Sequence, residues 1–256
     1  MTATRLDQAH AAMMVDETDD LARLAFFAAF ADTELFVVLK SDGERPSEAP
    51  LLFDTSDGAF LLAFDTEDRL TTFTEGPAHY AALSGRAIAA MVRNDGVGVA
   101  LNPEVAGSSM LISADTLVWL SDILSREVRQ ITAIPKTLHR PSLPAGLLDA
   151  LDTKLASAEG LARAAILVDA TYESGETISV IALIDPVPGA EQALARSVAE
   201  AVTFLGAEGD ALDVMFIDSA APIYDRLAAV GVRIDLPTPE VAMPQVPDPS
   251  VPPKLR

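Results

Sequence analysis

The stretch from Gly58 to Phe73 constrains this chain most, because a strand signal and a helix-start signal meet there without a gap. Ala59 to Phe64 is an unbroken apolar run, the pattern of a strand buried on both faces. At Asp65-Thr66 the polarity switches, and either side chain can accept a hydrogen bond from the free N–H groups of a following helix. Glu67 and Asp68 then place negative charge at the positive helix end. The chain is therefore expected to run from a central strand straight into a capped helix, with the flanking segments packed around that unit.

The segments on either side fit an α+β domain over residues 18–134. A helix from about Leu21 is expected, with Thr18 as its cap, Leu21, Leu24, Ala28 and Ala31 on one face and Phe26, Phe27 and Phe30 widening that face. Arg23, Asp32 and Glu34 interrupt the apolar run and make a membrane span costly. Leu35 to Leu39 reads as the first strand. Leu51–Phe53 and Ala59–Phe64 read as a hairpin returned by Asp57-Gly58, where glycine supplies a positive φ. Tyr80, Leu83, Ala87 and Met91 recur at helical spacing, so a helix is expected over 78–92. Val97–Leu101 and Met110–Ile112 follow as strands, and Ala114–Leu124 as a helix. Residues 1–17 lack the long apolar region of a secretory signal and read as a mobile leader.

Pro135, Pro141 and Pro144 mark residues 135–143 as a linker. A second α+β domain is expected over 144–237. A helix runs to about Ser157, and strands over 161–172 and 177–185 are joined by Glu173-Ser174-Gly175-Glu176. A helix follows over 189–205, with Leu194, Val198, Ala201, Val202 and Leu205 as its stripe. Leu212–Asp218 and Val232–Leu236 add strands around a helix over 222–230. The fold class is thus two α+β domains, each a mixed or mostly antiparallel sheet packed with helices. Residues 238–256 hold six prolines and read as a disordered, polyproline-prone tail: an inert terminus, or a docking peptide for an aromatic groove.

The central residues also carry a likeness. Phe64 with Thr66-Glu67-Asp68-Arg69-Leu70, the upstream Asp57-Gly58, and the downstream Gly98-Val99-Ala100-Leu101-Asn102-Pro103 resemble the N-terminal domain of the SseB family, named for enhanced serine sensitivity. The family's usual wording is an aromatic followed by Thr-Ser-Glu-Glu, and later a strand ending in Asn-Pro before a Gly-containing turn. This chain inserts Asp65 and places Glu104-Val105-Ala106 before Gly107. Residues beyond about Leu138 look like the family's C-terminal domain. The resemblance implies a two-domain soluble bacterial protein; it brings no agreed biochemical activity and no catalytic residues.

Composition bounds the partners. With 256 residues, half of them hydrophobic, a sizeable core is available, while the net charge of −20 repels nucleic-acid phosphates and anionic lipid over most of the surface. The absence of cysteine removes disulfides, thiolate metal sites and cysteine nucleophiles, and is compatible with a reducing compartment such as the cytoplasm.

The chain offers little catalytic chemistry. His10, His79 and His139 lack ligand spacing, and the acidic clusters near residues 16–20 and 65–68 fit helix caps better than calcium loops. Gly96-Val97-Gly98 misses the third glycine of a dinucleotide fingerprint and precedes a strand, and no serine lies in a nucleophile elbow. Asp169, Asp185, Asp213 and Asp218 lie at or near strands that could share a sheet, which leaves a paired-carboxylate hydrolase as a third reading.

The first reading is a non-enzymatic, cytoplasmic regulatory or adaptor protein that binds an unidentified protein partner. It carries no cofactor and no metal, binds neither nucleic acid nor membrane, and has a homodimer as its default assembly. An apolar groove or patch would be its signature. The alternative is a sensor of a small amino-acid-related metabolite, with a polar pocket between the domains. Thr66, Asn102, Pro103 and Trp119 are the candidate binding residues.

Overall fold

The computed structural model describes residues 3–16, 18–42, 45–56, 58–125, 130–143, 146–205 and 212–237. Two sheets, each flanked by helices on both faces, divide these residues. The proline-rich tail of residues 238–256 lies outside the described residues.

The first unit begins with α1 (Arg5–Val15), where a mobile leader was expected. The reason is local: Thr4 accepts from the Asp7 N–H while the Asp7 carboxylate takes the Thr4 N–H, a capping box. Leu6, His10 and Met13, at one-turn intervals, then bury one face against the core. A helix needs only that stripe, whereas a secretory signal needs a continuous apolar run.

Next comes α2 (Asp20–Asp32), which buries all three of its phenylalanines. Its cap is Asp19 in place of Thr18: the Asp19 carboxylate accepts from the N–H groups of Leu21 and Ala22.

The strands β1 (Glu34–Asp42), β2 (Arg45–Pro50), β3 (Leu52–Thr55) and β4 (Gly58–Phe64) follow, and Gly58 turns the β3–β4 hairpin at φ +127°. Then α3 (Glu67–Thr74) leaves the end of β4 under the Thr66 cap.

The expected helix over 78–92 divides into β5 (Tyr80–Ser84), antiparallel to β1, and α4 (Gly85–Val92). Ser84 caps α4 by accepting from the Ala87 N–H, so the helix starts only there. Gly85 permits the junction, because a Cβ at that position would stand 2.0 Å from the Phe30 carbonyl oxygen of α2. β6 (Val97–Leu101) lies parallel to β4, and β7 (Met110–Ile112) and α5 (Ala114–Leu124) complete the unit.

The sheet order is β2-β1-β4-β6-β7, with β3 also on β4 and β5 also on β1. Leu35, Val37, Leu61, Ala63, Val99 and Leu101 point to the layer of α1, α2, α4 and α5. Phe60, Leu62, Phe64 and Ala100 point to the face that carries Leu70 and Phe73 of α3.

Residues 135–143 are more than a linker. They contain β8 (Thr137–His139), which pairs with β9 (Ala164–Thr171) of the second sheet. The prolines flank this strand without removing its donors, and the Lys136 N–H donates to the Thr171 carbonyl.

α6 (Leu147–Ala156) precedes β9, and β10 (Thr177–Ile184) returns from it as an antiparallel hairpin. α7 (Glu191–Phe204) crosses to β11 (Asp213–Ile217), parallel to β10, and α8 (Ile223–Val230) leads to β12 (Val232–Asp235) on β9. The order is β11-β10-β9-β12, with β8 also on β9. Alternation splits each strand between two cores: Ile181 and Leu183 meet the α6–α7 layer, while Val180, Ala182 and Ile184 face the α8 side.

Where the two units meet, Phe204 of α7 inserts into the core of the first unit. Beside it lies a closed ring of charges. Arg86 of α4 donates to both oxygens of Glu200 on α7, at 2.6 and 3.0 Å, and also to Asp32 at the end of α2. Lys154 of α6 completes the ring, donating to Asp32 at 2.7 Å and to Glu200 at 3.1 Å. Its ammonium also sits 5.3 Å from the Phe204 ring centroid. The side chains of Glu200 and Lys154 are only 4% and 8% exposed, so each charge depends on the others for solvation. No helix among the described residues is long and apolar enough to cross a membrane.

Candidate binding groove

Three of the four candidate residues gather where the parallel strands β4 and β6 end. In open parallel sheets this end is the usual place for a ligand crevice. Here it is filled by the protein's own side chains.

Asn102 is fully buried and adopts φ +44°, a conformation that asparagine tolerates better than most residues. Its side-chain oxygen accepts from the Asp65 N–H at 3.1 Å, and its amide donates to the Ser108 hydroxyl at 3.0 Å. Ser108 donates in turn to Asp7 of α1 at 2.6 Å. Arg69, almost wholly buried on α3, donates to both oxygens of Asp65 and to Asp7, and the Thr4 hydroxyl donates to Asp65. Burial pushes the Asp7 carboxyl up, but the hydrogen bonds from Arg69, Ser108 and the Thr4 N–H outweigh it and hold the group well below the usual carboxylate range.

Thr66 is engaged as the α3 cap, accepting from the Arg69 N–H at 3.3 Å, and Pro103 is half-buried in the turn after Asn102. Each donor and acceptor named here has a partner inside the cluster, which pins α1 to the β4–α3 junction. Trp119 lies apart, on α5, with its ring edge-on to Phe27 at 5.3 Å.

Of the four aspartates considered as acid–base partners, Asp185 and Asp218 share the lining of one open pocket, and Asp169 and Asp213 lie elsewhere. Asp185 and Asp218 lie at the carboxyl ends of β10 and β11, where each caps the following turn: Asp185 accepts from the Ser219 N–H and Asp218 from the Ala220 N–H, both at 2.7 Å. The Ser219 N–H lowers the Asp185 carboxyl below its ordinary value. Asp213 begins β11, at the other end of the sheet, and Asp169 accepts from the Ser179 hydroxyl and the Ser142 N–H.

The histidines stay separate as well. His10 packs edge-on to Phe26, the carbonyl of His79 accepts from the Leu39 N–H, and His139 closes β8. Among the described residues no group of three or more His, Asp or Glu is placed to hold a metal ion.

A groove of about 500 Å³ lies elsewhere, beside β11. Its apolar walls are Ile131 and Ile134 from the segment before β8, Met215 and Ile217 from β11, and Pro222 and Ile223 at the start of α8. Ile134 is 76% exposed, an unusual state for a large aliphatic side chain beside a core. Arg226 is the charged residue in the lining, and its guanidinium donates to the carbonyls of Pro135 and Lys136.

β11 is also an edge strand. The Ile217 carbonyl accepts from Asp185 on the β10 side, so by alternation Met215 also bonds toward β10 while Val214 and Phe216 face outward. The Val214 carbonyl is taken by the Ile131 N–H. Beyond that single bridge the segment leaves the edge, and the outward N–H and C=O of Phe216 find no partner among the described residues.

Sequence reading missed this site because its walls come from three separated stretches. Ile131 and Ile134, an apolar pair just before Pro135, were the available signal.

Compared with known proteins, residues 6–117 match the family described as SseB protein N-terminal domain. The matched span includes α1 and ends within α5, so the likeness expected beyond about Leu138 is not part of it. No curated protein and no solved structure matches the chain.

Proposed function

We propose that this chain, whose first unit matches an SseB N-terminal domain, works by binding another protein and catalyses no reaction. Its contact site is the groove beside β11, and the ligand is an extended apolar segment of the partner that adds to the strand edge. One observation carries the reading: apolar walls stand directly beside an outward peptide group of Phe216 that has no partner among the described residues. Backbone pairing gives such a contact its affinity, and the pockets for alternate side chains give it selectivity.

The metabolite-sensor reading has less support. At the seam between the units, the described side chains of Phe204, Arg86, Glu200, Asp32 and Lys154 fill the space with mutually satisfied groups. The groove itself presents one guanidinium that already donates to two carbonyls.

Selection of short peptides from a random display library on the intact chain tests the proposal. Recovered sequences should carry apolar residues at alternate positions. They should bind about tenfold or more weakly to Ala133→Trp, which places an indole in the groove from an exposed position. Recovery of no consensus, or equal binding to the variant, would overturn it.

A further inference from the structure

The groove beside β11 carries the opposite charge to the chain as a whole. Acidic residues outnumber basic ones by 38 to 18, yet the groove lining holds no Asp or Glu, and Arg226 is its one charged side chain. The guanidinium is fixed through Nη2 alone, which donates to the carbonyls of Pro135 at 3.4 Å and Lys136 at 3.0 Å. Of its five N–H donors, the three on Nε and Nη1 have no partner among the described residues. The cation is thus held in place with its charge unpaired.

The other end of the site has the reverse sign. Asp185 and Asp218 line an open pocket that shares Phe216 and Ile217 with the groove. Arg163 stands 3.7 Å from Asp185, whereas Asp218 has no basic partner among the described residues. Arg226 reaches away from this pair. The N–H of its acceptor Lys136 donates to the Thr171 carbonyl, and Thr171 is aligned with Thr177 at the start of β10, while Asp185 follows Ile184 at the end of that strand. Along β11 the site is therefore negative beyond Ile217 and positive on the Met215 side.

A strand added beside Phe216 keeps its backbone in the plane of the sheet. Only its alternate side chains cross onto the face where α8 and Arg226 lie. A carboxylate that meets Arg226 must then belong to a side chain on the same face as the apolar residues that fill the groove. From this arrangement we infer that the partner segment carries a Glu or Asp at the alternate position nearest Met215, and that Arg226 selects for it. Like-charge repulsion from Asp185 and Asp218 opposes the same residue at the Ile217 end. The inference rests on the groove being a strand-addition site, as proposed above.

Synthetic copies of the display-selected peptides, amidated at the carboxyl terminus so that side chains supply their only carboxylates, test it against the intact chain. They should hold a Glu or Asp two residues from an apolar one, and its change to Gln or Asn should weaken binding on the order of fivefold. Arg226→Gln removes the charge but keeps an amide donor for the two carbonyls. It should weaken the acidic peptide by a similar factor and leave its amide counterpart unchanged, while Arg226→Lys should retain most of the preference. The two changes together should cost no more than either alone.

If Arg226 served only to hold the segment before β8, Arg226→Gln would weaken both peptides alike. That result, or peptides that are lost on Ala133→Trp yet carry no acidic residue at a fixed position, would sink the charge selection and leave the groove standing. Peptides that bind Ala133→Trp and the unmodified chain equally would overturn the groove and this inference together.

Discussion

The seam between the two units and the groove beside β11 are both assembled from residues distant in sequence, yet they treat their polar groups in opposite ways. At the seam, Asp32, Arg86, Glu200 and Lys154 satisfy one another in a closed ring, and Phe204 fills the apolar space alongside. At the groove, Ile134 stays exposed, and the outward N–H and C=O of Phe216 are left open by every described residue. Saturation marks a joint that holds the protein's shape. An unsaturated strand edge lined with aliphatic side chains marks a place where the shape is incomplete until something binds. The Asp7–Arg69–Asp65 cluster belongs with the seam by this criterion, although it sits at a sheet end where ligands commonly bind.

The sharpest way to break the comparison is at Glu200. Glu200→Gln leaves buried Lys154 and half-buried Arg86 to share the single carboxylate of Asp32 and should cost about 3–5 kcal/mol in urea unfolding. Since the ring joins the units, the transition followed by Trp119, the lone tryptophan and part of the first unit, should also separate from that followed by far-ultraviolet circular dichroism. Coincident transitions with little loss of stability would show that the ring is not what couples the units.

A smaller effect is expected at Asp7, where Asp65 still neutralises Arg69 after substitution. Asp7→Asn should cost about 1–3 kcal/mol at neutral pH. The folded protein holds this carboxyl below its unfolded value, so the contribution is complete above about pH 4 and declines as pH falls from there toward the folded value. Urea midpoints of the parent and the variant should therefore converge below about pH 4. A gap that persists unchanged in acid would mean that Asp7 acts by packing alone.

The smallest effect belongs to the groove. Ala133→Trp should shift unfolding stability by no more than about 0.5 kcal/mol while removing peptide binding. A large destabilisation would move the groove into the same class as the seam.

How much of this was legible in the sequence depended on whether the partner of each segment lay nearby. The run from β4 through Thr66 into α3 was legible because burial, cap and first-turn acids all lie within eleven residues of each other. The β9–β10 hairpin and the stripe of α7 were legible for the same reason. Tyr80 to Ser84 fitted a helical spacing as well as an extended one. What decides for β5 is its ladder with β1, a partner more than forty residues upstream.

The Asn102-Pro103 turn was read correctly as a turn, but the role of the Asn102 side chain depends on Asp65 and Ser108, which no local pattern connects. The ring of charges at the seam and the walls of the groove were invisible for the same reason. Apolar and acidic residues announce themselves along a chain; their pairing across one does not.

The fastening of α1 also sets an order of events during synthesis. Asp7 leaves the ribosome ahead of both partners, yet its acceptor role toward Ser108 spans 101 positions and its pairing with Arg69 spans 62. Contacts closed over such long intervals wait for the later partner to be made. Helix α1 therefore has to stand by with Leu6 and Met13 uncovered until Ser108 has been made, although it precedes the strands of its own unit. A chaperone or a neighbouring nascent chain would meet that apolar helix face during the delay.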